Sequence, residues 1–136
     1  DLSFPAVSGG ELKIADYRGK LIYVDFWATW CGPCTQAIPE LNSIHEKYKD
    51  RGFAVLGISV DDLSLEAISH FARTEKMVYP VALGTTEDMA LFGPSPGLPT
   101  GYLVDDKGVV VKKFIGQLPA ATLEAEIERV LTEAGR

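Results

Sequence analysis

Cys31 and Cys34 are the only two cysteines in the chain, and they sit in the run Trp30-Cys31-Gly32-Pro33-Cys34. A bridge between them closes so short a loop that it constrains the unfolded chain little, which makes it a poor structural staple. Two sulfurs this close point to redox chemistry or to a metal. A structural metal needs roughly four ligands of the Cys or His type. His45 and His70 are the only histidines, each isolated, and His45 lies three helical turns beyond Cys34. Neither completes a mononuclear site by local geometry, both are expected on helix surfaces, and no metal or organic cofactor is expected. Thiolates do suit Cu(I). A non-enzymatic copper-binding or docking module is therefore the rival reading, with no distal His or Met clearly placed to serve it.

Redox chemistry requires that one sulfur be ionised, so the elements that position the pair matter. Leu21-Ile22-Tyr23-Val24-Asp25-Phe26-Trp27 is a continuous β-branched and aromatic run, the pattern of a strand buried on both faces of a sheet. From Gly32 to Tyr48 the apolar residues Ile38, Leu41, Ile44 and Tyr48 recur at helical spacing, with Pro39 inside, where its missing N–H predicts a kink. Cys31 then lies at a helix N-terminus, whose backbone N–H groups and positive dipole end stabilise a thiolate. Thiols so placed have pKa values of about 3.5 to about 7.5, against about 8.5 for free cysteine. Cys31 is accordingly expected to be the exposed nucleophile and Cys34, one turn inside the helix, the buried and less acidic partner.

Asp25 is the one acid in the apolar strand. It could merely mark a sheet edge, but in a central strand, six residues before Cys31, it would be buried. Burial raises a carboxyl pKa, which suits a proton acceptor. Trp30, beside Cys31, is expected to shape an apolar rim that a peptide could touch.

The remaining elements alternate. Asp1 to Gly10 reads as an irregular lead-in with room for a short edge strand, and Phe53 to Val60 as a second buried strand. Ser64 can cap a helix running to about Lys76, and Tyr79 to Leu83 gives a short third strand. A brief helix near Glu87 to Phe92 precedes the turn-rich Gly93-Pro94-Ser95-Pro96-Gly97 loop, a candidate for substrate recognition. Thr100 to Val104 and Val109 to Ile115 flank Asp105-Asp106-Lys107-Gly108 as a β-hairpin, and Ala120 to Ala134 carries Leu123, Ile127, Val130 and Leu131 on one stripe as a final helix. This order implies an α/β fold, a single domain over 1–136, with a mixed central sheet flanked by helices on both faces.

Composition narrows the function classes. The 136 residues are 46% hydrophobic and 24% charged, which is globular and not disordered. A net charge of −6 without any basic run disfavours nucleic-acid binding. The longest apolar stretch is broken by Asp25 and too short to span a bilayer. The first residue is Asp1, so a signal or anchor segment absent from this chain is an expectation.

Val24-Asp25-Phe26-Trp27-Ala28-Thr29-Trp30-Cys31-Gly32-Pro33-Cys34 resembles the active-site segment of the thioredoxin superfamily, and more narrowly the TlpA/ResA-like extracytoplasmic thiol-disulfide oxidoreductases. The likeness extends to Tyr17-Arg18-Gly19-Lys20 before the strand, to the segment from Ser64 to Leu83, and to Leu98-Pro99-Thr100. It implies a thioredoxin fold, with Pro99 as a cis-proline facing the cysteines and Gly116 bordering the substrate groove. Trp30, Gly32, Pro33 and Leu98 would contact substrate, and Asp25 would help to deprotonate Cys34. It also implies a monomeric protein-disulfide reductase outside the cytoplasm, fed by a membrane thiol reductase, with apocytochrome c as leading substrate and a general periplasmic reductase as alternative. The Gly-Pro dipeptide is like that of thioredoxin, whose potential is about −270 mV, and so suggests a reductant. A peroxidase is the third option, but the Thr and Cys spacing of that type is absent. Two departures stand out: Ala37 occupies a position often acidic in the TlpA/ResA-like proteins, and Gly57 stands near where thioredoxins place a lysine beside their aspartate. Proton handling would then rest on Asp25 alone, in a more protonated state than a paired acid.

Overall fold

The computed structural model describes residues 2–93, 95, 97–117 and 119–136. Two prolines of the turn-rich loop, Pro94 and Pro96, lie outside the described residues.

Leu21–Trp27 forms β3, buried along its whole length, at the centre of a five-stranded sheet. Phe53–Ser59 (β4) pairs with it in parallel and Val81–Leu83 (β5) continues in parallel beyond, while Thr100–Val104 (β6) and Val110–Ile115 (β7) add on the other side antiparallel, in the order β5-β4-β3-β6-β7. The sheet is mixed, as the alternation of elements followed by a hairpin implies. Asp105 fixes the hairpin turn: its Oδ1 accepts from the backbone N–H of Lys107 and of Val109, both at 2.9 Å, and Gly108 supplies the positive φ of 84°.

The pleat divides the core. Leu21, Tyr23 and Trp27 point to the face covered by Ile38–Tyr48 (α2), Leu65–Thr74 (α3) and Ala120–Glu133 (α5), where Leu41, Ile44, Ile68, Leu123 and Ile127 are buried. The connections from β3 to β4 and from β4 to β5, between parallel strands, carry α2 and α3, and both helices cover that same face. Ile22, Val24 and Phe26 point to the other face. Helix lies on that face too, as the sequence predicts: the five-residue Thr86–Ala90 (α4) and a 3-10 turn at Ile14–Tyr17 pack there with an N-terminal hairpin.

Ser3–Pro5 (β1) and Glu11–Lys13 (β2) build this hairpin, so the lead-in is more regular than expected. Gly9 and Gly10, at φ of 102° and 66°, make its turn, and Phe4 and Leu12 are buried against the sheet. Val7 N–H donates to Val81 O at 3.0 Å, which ties the hairpin to the β5 edge.

One further expectation is met and one is revised. Gly32–Gln36 (α1) passes into α2 through Ala37, which keeps helical dihedrals of φ −79° and ψ −14°, so the chain kinks there as Pro39 predicts. Pro39 has no N–H for the preceding turn, and it suits the first turn of a new helix; Ala37 makes the join, its N–H reaching Pro33 O and Cys34 O at 3.2 Å. Ser64 does cap α3, its Oγ accepting from Ala67 N–H at 3.1 Å. His70 is exposed, but His45 is half-buried and structural: its Nδ1 accepts the backbone N–H of Val55 at 3.1 Å. The partnering of β5 with β4 begins only at Gly57, so Val55 N–H would otherwise be unpaired. Burial is the largest influence on His45 and lowers its pKa.

Candidate functional site

The cysteines sit where β3 runs into α1. Cys31 is the N-cap of α1 in extended conformation, its Sγ accepts from Cys34 N–H at 3.3 Å, and Cys31 and Cys34 are joined as a disulfide. The expectation of an exposed Cys31 is corrected: in this oxidised state Cys31 is 6% and Cys34 1% exposed. Both pack into the helix-side core with Trp27, Ala28 and Ala37. Around them the surface is open, with Trp30 73% exposed and Gly32 and Pro33 also exposed.

The loop that presents this pair is held by a residue the sequence reading missed. Asp61, buried at the end of β4, accepts from Thr29 N–H at 3.0 Å, from Thr29 Oγ1 at 2.8 Å and from Ser59 Oγ at 2.6 Å. Ser59 Oγ in turn accepts Asp61 N–H at 3.1 Å. The β3–α1 loop is thereby fastened to the neighbouring strand. The only sequence signal is the polar Ser59 and Asp61 at the end of an apolar strand.

Pro99 and Gly116 come together where β6 begins and β7 ends. The Leu98–Pro99 bond is cis, Pro99 is buried, and Gly116 N–H donates to Pro99 O at 2.9 Å with Gly116 at φ of 83°. Leu98 lines a cavity of about 380 Å³ with Trp30, Val60, Met89, Ser95 and Gly97. The described part of the expected recognition loop therefore borders the same opening as the tryptophan next to Cys31. Ser95 Oγ lies 2.5 Å from Thr100 Oγ1, which donates to Gly97 O at 2.6 Å, so this wall is tied to the start of β6.

Asp25 is 5% exposed and points to the helix-side face, the face of the cysteines. Its two cross-strand partners are both glycines, Gly57 on β4 and Gly101 on β6. No donor among the described residues hydrogen-bonds its carboxyl, and burial pushes its pKa from 3.8 up to about 8. A carboxyl that gains and loses its proton near neutrality can exchange one with a thiol. Gly57 does face Asp25 in register, so no lysine side chain enters there.

Among the described residues no group of three or more His, Cys, Asp or Glu side chains could hold a metal ion, and no helix is long and apolar enough to cross a membrane.

Residues 1–113 match the AhpC/TSA family. The chain belongs to that family. It is 30% identical over 125 residues to the thiol-disulfide oxidoreductase ResA of Bacillus cereus, covering 91% of this chain and 71% of that protein. The activity of this chain is that of a thiol-disulfide oxidoreductase. A Chlorobium tepidum crystal structure assigned to the thiol:disulfide interchange protein DsbE superposes with a TM-score of 0.86 at 33% identity, covering 96% of this chain and 93% of the other. A secreted thiol-disulfide isomerase from Corynebacterium glutamicum, at 21% identity and a TM-score of 0.87 over 97% and 84% of the two chains, shares the fold. The thioredoxin fold implied by the Cys31 segment is thus present, and disulfide-bonded protein is the substrate class.

Proposed function

We propose that this oxidoreductase works outside the cytoplasm as a reductase of disulfides in extended peptide segments, with Cys31 as nucleophile, Cys34 as resolving thiol and Asp25 as proton acceptor. In the reduced protein the Cys31 thiolate attacks one sulfur of a substrate disulfide, forming a mixed disulfide and releasing the other substrate sulfur as a thiolate. Cys34 then loses its proton to Asp25 and attacks Cys31 Sγ. The Cys31–Cys34 bond forms, the bond to substrate breaks, and two electrons have passed to the substrate. The observation that carries this reading is the Cys31–Cys34 disulfide at the mouth of β3, in the same helix-side core to which Asp25 points.

Trp30, Gly32, Pro33, Leu98, Pro99 and Gly116 are the proposed substrate contacts. An extended peptide lying beside the segment before Pro99, much as a strand adds to a sheet edge, would place a side chain in the opening lined by Trp30 and Leu98. An apocytochrome c segment with an oxidised Cys-x-x-Cys-His is the proposed substrate, and a membrane thiol reductase the electron donor. The names of the relatives, ResA, DsbE and a secreted isomerase, support an extracytoplasmic setting.

Cys34→Ser removes the resolving thiol and stalls the mixed disulfide at Cys31. Trapping with this variant in cell-envelope extracts is expected to recover apocytochrome c. Recovery of other envelope proteins without it would replace the cytochrome reading by a general reductase, and recovery of cytoplasmic substrates alone would overturn the location.

A further inference from the structure

Two buried polar atoms among the described residues have no hydrogen-bond partner, Trp27 Nε1 and Tyr79 Oη. They belong to the same place. A Cβ built on Gly57, the register partner of Asp25, would come within 2.9 Å of Tyr79 Cε1 and 3.2 Å of Trp27 Nε1. The glycine thus opens the strip beside Asp25, and the Tyr79 ring and the Trp27 indole edge fill it. Trp27 follows Asp25 by two residues on β3 and so shares its face. The charge of Asp25 also acts on Tyr79, raising the pKa of its hydroxyl after the larger effect of burial.

Each of these groups lacks what the others have. A buried carboxylate without donors is strongly disfavoured, and a buried hydroxyl and indole N–H without acceptors are costly as well. Native interiors pair such groups, directly or through a buried water. We propose that Tyr79 and the indole N–H of Trp27 form the donor set that holds the ionised form of Asp25, making Tyr79 a positioning residue for the carboxylate that takes the proton of Cys34. This rests on the reading of Asp25 given above. Tyr79 would occupy the space beside the aspartate in the role of a neutral donor, stabilising the carboxylate without adding a charge to the core.

The other titratable groups on this side of the sheet are few. Tyr23 on β3 crosses Gly101, the partner of Asp25 on β6, and also feels the charge of Asp25. His45 on α2 lies 6.3 Å from Tyr79, ring centroid to centroid. Tyr48 on α2 and the two cysteines, Cys31 and Cys34, are the other titratable groups buried in this core among the described residues, and burial is the sole influence identified on Asp25 itself.

The test is Tyr79→Phe, which deletes one oxygen that has no partner in this structure. The Asp25 carboxyl is titrated by the 13C shift of its Cγ in the oxidised full chain, with thermal unfolding as the check on folding. Loss of a hydrogen bond to the charged form is expected to move the midpoint up by about one pH unit. The pH at which mixed-disulfide release becomes half-maximal is expected to move with it. A midpoint that stays put overturns the proposal, whether or not stability falls, since a purely structural tyrosine would alter stability alone. Asp25→Asn separates this from the underlying reading: if that variant releases the mixed disulfide as fast as the parent, the role of Asp25 itself fails. An Asp25-dependent release with an unmoved titration in Tyr79→Phe would overturn the Tyr79 inference alone.

Discussion

Asp25 should leave a signature in the pH dependence of folding that runs opposite to that of an ordinary salt-bridged acid. Its pKa is about 8 in the folded protein, against an ordinary value of 3.8 that the unfolded chain should approach. Between those values the folded state binds one proton more than the unfolded state, so this residue makes unfolding easier as pH rises. Its contribution is intact below about pH 4, declines through neutrality, and levels off above about pH 8. The slope is about 1.4 kcal/mol per pH unit. From pH 5 to pH 8 this amounts to roughly 3–4 kcal/mol, a large part of the stability of a domain this size. Asn at this position cannot ionise. The urea midpoint of oxidised Asp25→Asn should therefore rise relative to that of the parent by about 2 M between pH 5 and pH 8, at an m-value of about 2 kcal/mol per M. Comparing the two proteins cancels the other titrating groups. Parallel pH profiles would refute the reasoning, because they would mean that Asp25 is solvated or already ionised in the fold.

Two other perturbations follow from the packing. Asp61→Ala removes the acceptor of Thr29 N–H, Thr29 Oγ1 and Ser59 Oγ, and should cost about 2–4 kcal/mol. It should also speed hydrogen exchange at the Thr29 amide, and an unchanged exchange rate would show that Asp61 does not hold the cysteine loop. Gly101→Ala would place a Cβ against the Tyr23 hydroxyl and ring carbons across the β3–β6 pair, and should destabilise by about 1–3 kcal/mol in thermal unfolding. A variant as stable as the parent would contradict the packing of Tyr23 over β6.

The sequence by itself determined the elements whose signals are local. The apolar run of β3, the Ser64 cap of α3, the Asp105 turn and the stripe of α5 each follow from side-chain periodicity or from hydrogen bonds within a few residues, and each is found where it was expected. Cys31 and Cys34 were legible for the same reason, since their spacing is itself the chemistry. The kink at Ala37 was legible as well, because Pro39 has no N–H to give to the preceding turn.

What only the tertiary structure decided is what surrounds Asp25. Gly57 and Gly101 lie far from it along the chain, and strand register alone places them on either side of it. The aromatic groups that close over Gly57 come from β3 itself and from the segment entering β5. Asp61 on Thr29 and His45 on Val55 are likewise pairings between distant segments, each meeting a backbone N–H that the local element leaves unpaired. A carboxyl's proton affinity is set by burial and by the donors within reach, both properties of the assembled interior. Residue type and spacing therefore name the candidate reacting atoms, and the register of β3 with β4 and β6 sets the environment of the Asp25 carboxyl.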